Sequence, residues 1–168
     1  IGDTASTSAP TSVPTVAPTS PPSSGAIAED DFSSGGLSGG TGWAGNWTIN
    51  VESGGELSYE FHTSHYTSAP YSLNLEGDTY ASRPVNLSGA SGVTLSFTYR
   101  LYSLESGDVA KVRINDGSWK TLQEWTDGTD DGNWHSVTLD LSGCNMTSSF
   151  EICFDADFSS TSDYIYID

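Results

Sequence analysis

Positive charge is scarce in this chain. Five lysines and arginines stand against 22 aspartates and glutamates in 168 residues, for a formal net charge of −17. Nucleic acid is excluded as a partner, because no basic stripe exists to displace counterions from phosphate. An anionic membrane surface is excluded on the same ground. No apolar run approaches the roughly 18 residues that a membrane-spanning helix needs, so no membrane insertion is expected. Neutral carbohydrate, divalent cations and further copies of the chain remain as partners. The acidity also keeps free subunits apart at low salt.

Cysteine is nearly missing too, with Cys144 and Cys153 alone. Two thiols are too few for a structural zinc site. A disulfide closing the short loop between them would contribute about 2–3 kcal/mol, and it suits an oxidising, extracellular compartment. The chain opens on Ile1 with neither methionine nor a basic stretch, which is the expectation for a processed secretory product. Sustained 3.6-residue periodicity is the last absence, and with it goes a helical bundle.

What is present begins with a repeat. From Ala5 to Ser24 the chain reads in fours, with Pro10, Pro14, Pro18 and Pro22 each followed by a hydroxyl, at Thr11, Thr15, Thr19 and Ser23; Thr7 extends the series by one unit. Proline fixes its own φ and moves the preceding residue out of the helical region. One proline in four therefore predicts polyproline II, and 25 such residues span about 75–80 Å. Four residues turn this helix by about one third of a revolution, so the hydroxyls point all round the axis. That suits O-glycosylation at Thr7, Thr11, Thr15, Thr19 and Ser23. Two readings stand beside each other. Such tracts serve as glycosylated linkers between domains. A tail without an interior holds a fixed shape only when a neighbouring subunit or packed glycans offset its ordering entropy.

Residues 1–25 are thus read as an extended tail and 26–168 as one domain. Glycine and serine dominate from Gly25 to Gly45, with one edge strand expected around Asp30–Ser33. Period two then takes over: Trp47, Ile49 and Val51; Leu57, Tyr59 and Phe61 after the Gly54-Gly55 turn; Tyr71, Leu73 and Leu75; Val85 and Leu87. The longest alternation is Val93, Leu95, Phe97, Tyr99 and Leu101, with Arg100 on the other face. Ala110, Val112 and Ile114 enter a hairpin at Asn115-Asp116-Gly117, and Trp119 to Leu122 return. Val137 to Leu141, Phe150 to Phe154 and Tyr164 to Ile167 complete about ten short strands. This spacing predicts an antiparallel β-sandwich of jelly-roll type.

In that order, the segments starting at Val85 (VNLSG), Leu95 (LSFTYR), Asn115 (NDGSWKTL), Trp134 (WHSVTLDLS), Phe150 (FEICFD) and Asp163 (DYIYID) resemble the MAM-like and concanavalin A-like jelly-roll modules of secreted proteases, adhesins and cell-surface proteins. The resemblance covers Thr41 to Asp168. It implies an extracellular accessory module for adhesion or glycan contact, and it carries over no catalytic residue. The tail separately looks like the Pro-Thr repeats of algal and other microbial-eukaryote extracellular glycoproteins.

Three N-glycosylation sequons occur, at Asn46, Asn86 and Asn145. Strand parity turns Asn46 and Asn86 to solvent, and Asn145 falls in a turn beside Cys144. The loop from Thr126 to Asn133 gathers Asp127, Asp130 and Asp131, hard oxygen ligands suited to Ca²⁺, although acid-glycine loops also serve as plain solvated turns. Asp30, Asp31 and Asp163 form a weaker second set. His62 and His65 lack a third zinc ligand. His135 has no Ser or Cys nucleophile with a supporting acid. No enzyme is expected, and no required cofactor.

Trp119, Trp125 and Trp134 cluster in sequence. They serve either as a platform for sugar rings or as caps on the sandwich core. The leading expectation is a structural glycoprotein that self-associates into a filament or surface layer through its tail, since head-to-tail contact without closure gives filaments. The alternative is a carbohydrate-binding or adhesin module on an O-glycosylated linker.

Overall fold

The computed structural model describes residues 25–51 and 57–168. The tetrapeptide repeat, with Thr7, Thr11, Thr15, Thr19 and Ser23, lies outside the described residues, as does the Gly54-Gly55 turn. Ten strands run through the described part: β1 (Thr48–Val51), β2 (Ser58–His62), β3 (Ser72–Glu76), β4 (Asp78–Val85), β5 (Thr94–Tyr102), β6 (Val109–Asn115), β7 (Trp119–Thr126), β8 (His135–Asp140), β9 (Phe150–Asp157) and β10 (Tyr164–Ile167). They form two five-stranded antiparallel sheets, ordered β1-β4-β9-β6-β7 and β2-β3-β10-β5-β8. The chain is an all-β sandwich, as its period-two patterning dictates.

The core lies between the sheets. Ala81 and Val85, Ala110, Val112 and Ile114, and Phe150, Ile152, Phe154 and Ala156 face inward from the first sheet. Leu73 and Leu75, Ile165 and Ile167, and Phe97, Tyr99 and Leu101 face them from the second. Alternate residues of the same strands point outward.

The hairpin at Asn115-Asp116-Gly117 forms as expected. Gly117 adopts φ 118°, and its N–H donates to Asn115 Oδ1 at 3.1 Å. Between β6 and β7 the register then slips at Val112/Arg113, where Gln123 pairs with Val112 and Thr121 with Arg113. This bulge inserts Leu122 as one extra residue and inverts the parity beyond it. Trp125 therefore lies opposite inward Ala110, and Trp119 opposite outward Asn115.

Two expectations change here. No strand forms at Asp30–Ser33; the lead-in segment is held by single bridges, Glu29 with Thr41 and Trp43 with Val85. Gly42 is required at this crossing, because a Cβ there would sit 2.0 Å from the Ile27 carbonyl oxygen. The segment is anchored by a buried ion pair instead. Arg83 shares the inward parity of β4, and its guanidinium binds Asp30, with side chains only 3% and 2% exposed. Its Nε donates to Gly45 O at 2.9 Å and its Nη2 to Gly39 O at 2.7 Å. Asp30 also accepts from Trp47 Nε1 at 3.0 Å and from Phe32 N at 2.9 Å. Trp43 and Trp47 lie 4.7 Å and 5.6 Å from the Arg83 guanidinium carbon.

The structure does not join Cys144 to Cys153. Parity explains it. Ile152 and Phe154 point into the core, so Cys153 lies on the outer side of β9, between Ser82 and Arg113 in register. Cys144 instead packs against the core from a loop, where burial pushes its thiol pKa up.

Candidate functional site

The outer face of the β2-β3-β10-β5-β8 sheet carries a continuous row of aromatic and polar groups. It follows from one short alternation, Tyr164-Ile165-Tyr166-Ile167. The isoleucines are buried in the core, so both tyrosines point outward. Register extends the row in both directions. Tyr166 pairs with Asn74 on one side and Arg100 on the other, and Asn74 pairs with Glu60. Trp134 immediately precedes β8, whose His135 pairs with Tyr99, so Trp134 comes level with Arg100. At about 4.8 Å between strands, the row Glu60–Asn74–Tyr166–Arg100–Trp134 measures about 19 Å. A second row alongside it holds Ser58, Glu76, Tyr164 and Tyr102.

The rings form one patch. Trp134 lies 6.4 Å and Tyr164 6.1 Å from Tyr166, and Tyr102 lies 6.1 Å from Tyr164. His62 and His65 stand 5.3 Å and 5.0 Å from the Tyr166 ring. Tyr102 is 52% exposed, so the patch is open to solvent at that end. Tyr166 is nearly covered, and burial raises its phenol pKa, which keeps it protonated.

Polar groups sit among the rings. Asn74 Nδ2 donates to Glu76 Oε1 at 2.8 Å, and Ser58 Oγ to Glu76 Oε2 at 2.5 Å. Asn74 Oδ1 and Arg100 Nε are buried without a hydrogen-bond partner among the described residues. An unsatisfied buried group of this kind costs about 1–3 kcal/mol, more for a charged one. Such atoms flank Tyr166 on both sides.

His62 and His65 are held against each other beside Tyr166. Ser64 N donates to His62 Nδ1 at 3.2 Å, and His65 Nδ1 lies 3.1 Å from the same nitrogen. The remaining His62 nitrogen faces Glu60 Oε1 at 3.4 Å. Burial, then Arg100 and His62, lowers the His65 pKa. The loop bearing them is clamped by Asp168, whose Oδ2 accepts from Thr67 N at 2.5 Å and Ser68 N at 2.6 Å.

The three tryptophans that cluster in sequence separate in space. Trp125 is a core residue, with its ring 4.2 Å from that of Tyr99. Trp119 stands on the opposite sheet, 5.2 Å from the Arg113 guanidinium carbon. Trp134 alone joins the aromatic row. Sequence reading missed Tyr102, Tyr164, Tyr166 and Asn74, although outward parity of β3, β5 and β10 would have found them.

The expected calcium loop does not converge. Asp130 Oδ2 accepts from Leu104 N at 2.9 Å, and Asp131 Oδ1 from Asn133 N at 2.9 Å; Asp127 is exposed. Among the described residues, no three His, Cys, Asp or Glu side chains are placed to hold a metal ion. The second set divides as well, since Asp30 is taken by Arg83. Asp163 is buried elsewhere, where burial and then Asp108 and Glu105 raise its pKa. Asn46 and Asn86 are exposed, in keeping with strand parity, and Asn145 is exposed in the loop between β8 and β9.

His135 Nε2 lies 2.9 Å from Asp131 Oδ1. That hydrogen bond, followed by the one from Asn133 N, holds the Asp131 pKa down at about 2, against an ordinary 3.8. A depressed carboxyl favours the fold above its ordinary pKa, and the contribution is lost as pH falls through the depressed value. Carboxyl NMR of Asp131 should therefore show a midpoint near 2. His135→Gln should move it back toward 3.8; an unmoved midpoint would contradict this pairing.

A cleft of about 490 Å³ also opens between the sheets, lined by Ile27, Ala28, Val93, Leu95 and Leu141 among others. Its walls also carry aromatic rings, Trp43 and Phe97 among them, and polar groups that include Glu29, Thr94 and Asp168. Among the described residues, no helix is long and apolar enough to cross a membrane.

No protein-family model and no curated protein sequence matches the chain. Solved structures do. TmCBM61, solved in complex with β-1,4-galactotriose, matches 82% of this chain and 90% of its own at TM-score 0.59 and 16% identity. A structure of carbohydrate-binding modules from the β-sandwich superfamily matches 87% of this chain and 61% of its own, at TM-score 0.59 and 17% identity. The K2 cleaved adhesin domain of Lys-gingipain matches 73% and 85%, at TM-score 0.53 and 15% identity. At these identities the likeness is one of fold. The sandwich expected from the MAM-like resemblance is shared; the neighbours themselves are carbohydrate-binding modules and an adhesin domain.

Proposed function

We propose that this chain is an extracellular, non-catalytic carbohydrate-binding module that holds a glycan along the aromatic row of the β2-β3-β10-β5-β8 sheet. The observation that carries this reading is the row itself: Trp134, Tyr166, Tyr164 and Tyr102 in contact ring to ring, with Arg100 level between Trp134 and Tyr166 and Asn74 on the far side of Tyr166. Aromatic faces take the C–H faces of sugar rings, and a few placed polar atoms fix orientation. The fold shared with structures named for carbohydrate binding supports the same reading.

A glycan array probed with the purified chain tests the proposal. Binding to at least one glycan is expected, with Trp134→Ala weakening it about tenfold to thirtyfold, as a central aromatic anchor does. The variant should melt as the parent does, because Trp134 lies outside the core cluster. Unchanged binding in Trp134→Ala and in Tyr102→Ala would remove the row from the account.

The filament reading rests on the Ala5–Ser24 period, which lies outside the described residues. Negative-stain microscopy of the purified chain tests it: fibrils would support a self-assembling building block, and monomers that persist at high concentration would count against it.

A further inference from the structure

The chain has five cations. Four of them are paired: Arg83 with Asp30, Lys111 with Asp157, Arg113 with Asp155 and Lys120 with Asp116. Arg100 makes no ion pair among the described residues, in a chain holding 22 carboxylates. It is half-buried, its Nε is enclosed without a hydrogen bond, and its guanidinium carbon lies 6.0 Å from the Tyr166 ring. A cation partly removed from water without a counter-charge is costly, and the cost falls at the centre of the aromatic row.

The nearest carboxylate on this face, Asp168 opposite Thr98 on β5, is taken up by the amides and hydroxyls of Thr67 and Ser68. Glu76 and Glu60 sit on β3 and β2, two and three strands away from β5, or about 10–14 Å across the sheet. That is longer than the roughly 8 Å screening length of physiological salt. Arg100 thus places a positive charge beside Trp134 and Tyr166, while the chain as a whole repels a polyanion.

Resting on the carbohydrate-binding reading, we propose that Arg100 is a specificity residue that takes the carboxylate of an isolated uronic acid unit in an otherwise neutral glycan. A guanidinium presents its donors as a planar fork matched to a carboxylate. Hydroxyls of a neutral sugar accept hydrogen bonds but lack the charge that strengthens them. The net charge of −17 explains why a single uronate, rather than a polyuronate, is accommodated.

The test uses methyl β-glucuronide and methyl β-glucoside, which differ only in carboxylate against hydroxymethyl. Each is titrated into the full chain while ¹⁵N NMR follows the Arg100 Nε–H and the Trp134 indole N–H. The glucuronide is expected to bind about tenfold or more tightly, to move both signals, and to lose its advantage in Arg100→Gln and at raised salt. Arg100→Lys, which keeps the charge without the fork, should retain part of the preference; the spectra themselves report whether each variant is folded. Equal affinities, with the Trp134 signal moving for both sugars, would overturn the role of Arg100 and leave the aromatic row standing. Movement confined to residues outside the row, or no movement at all, would overturn this proposal; with a null glycan array it would overturn the binding reading as well.

Discussion

Arg83→Ala is expected to destabilise the domain by about 3–5 kcal/mol, because it strands the Asp30 carboxylate inside the sandwich without its partner. The loss is wider than one ion pair. Gly45 and Gly39 lose the donors that hold their carbonyls, and Trp43 and Trp47 lose the cation between them. Segment 25–47 should loosen first, and hydrogen exchange at Glu29 and Thr41, which bridge to each other, should rise before exchange in β9. Thermal melting should fall by about 10 °C. A paired substitution separates charge from packing. Arg83→Met with Asp30→Asn should recover much of the loss, because replacing both members of a buried pair costs far less than removing one. A single variant that melted within a degree or two of the parent would show that the pair does not anchor the segment.

Asp168→Ala is expected to cost about 2 kcal/mol and to weaken glycan binding at the same time. One carboxylate there serves the amides of Thr67 and Ser68 and both of their hydroxyls, and hydrogen bonds to a charged group are worth about 1.5–3 kcal/mol. Without it the loop that carries His65 is no longer tied to the end of β10. His65 lies against Tyr166, so a loosened loop uncovers the middle of the aromatic row. The readout is joint: faster exchange at Thr67 and Ser68, a lower melting temperature and a raised Kd. Asp168→Asn, which keeps one acceptor, should fall between the parent and Asp168→Ala. Intact affinity alongside a lowered melting temperature would separate the loop from the site.

Most of the strands were legible because burial on one face enforces alternation. Val93 to Leu101 and Phe150 to Phe154 read correctly for that reason, and the Asn-Asp-Gly turn announces its hairpin through its backbone demands. β4 was largely missed. Arg83 and Pro84 break its apolar pattern, and the inward arginine has meaning only beside an Asp30 that is 53 residues away. The tryptophans misled for a different reason: proximity in sequence is not proximity across a bulge, and the extra residue at Leu122 sends Trp119 and Trp125 to opposite sides of their sheet. The aromatic row was hidden because it runs perpendicular to the chain. Its members come from β2, β3, β10, β5 and the approach to β8, and only register brings them level.

One further consequence follows from where the sequon asparagines stand. Asn46 leads into β1, Asn86 leaves β4 and Asn145 precedes β9, and Val85 pairs with Phe150, so all three gather at a single pole of the domain. Gly25 lines the same cleft as Ser91 and Gly92. Arg100 lies six residues along β5 from Thr94, about 20 Å from that pole. Sugar attached to the protein would therefore crown one extremity and leave bare the flank proposed to hold a glycan, so the decorations need not compete with the cargo.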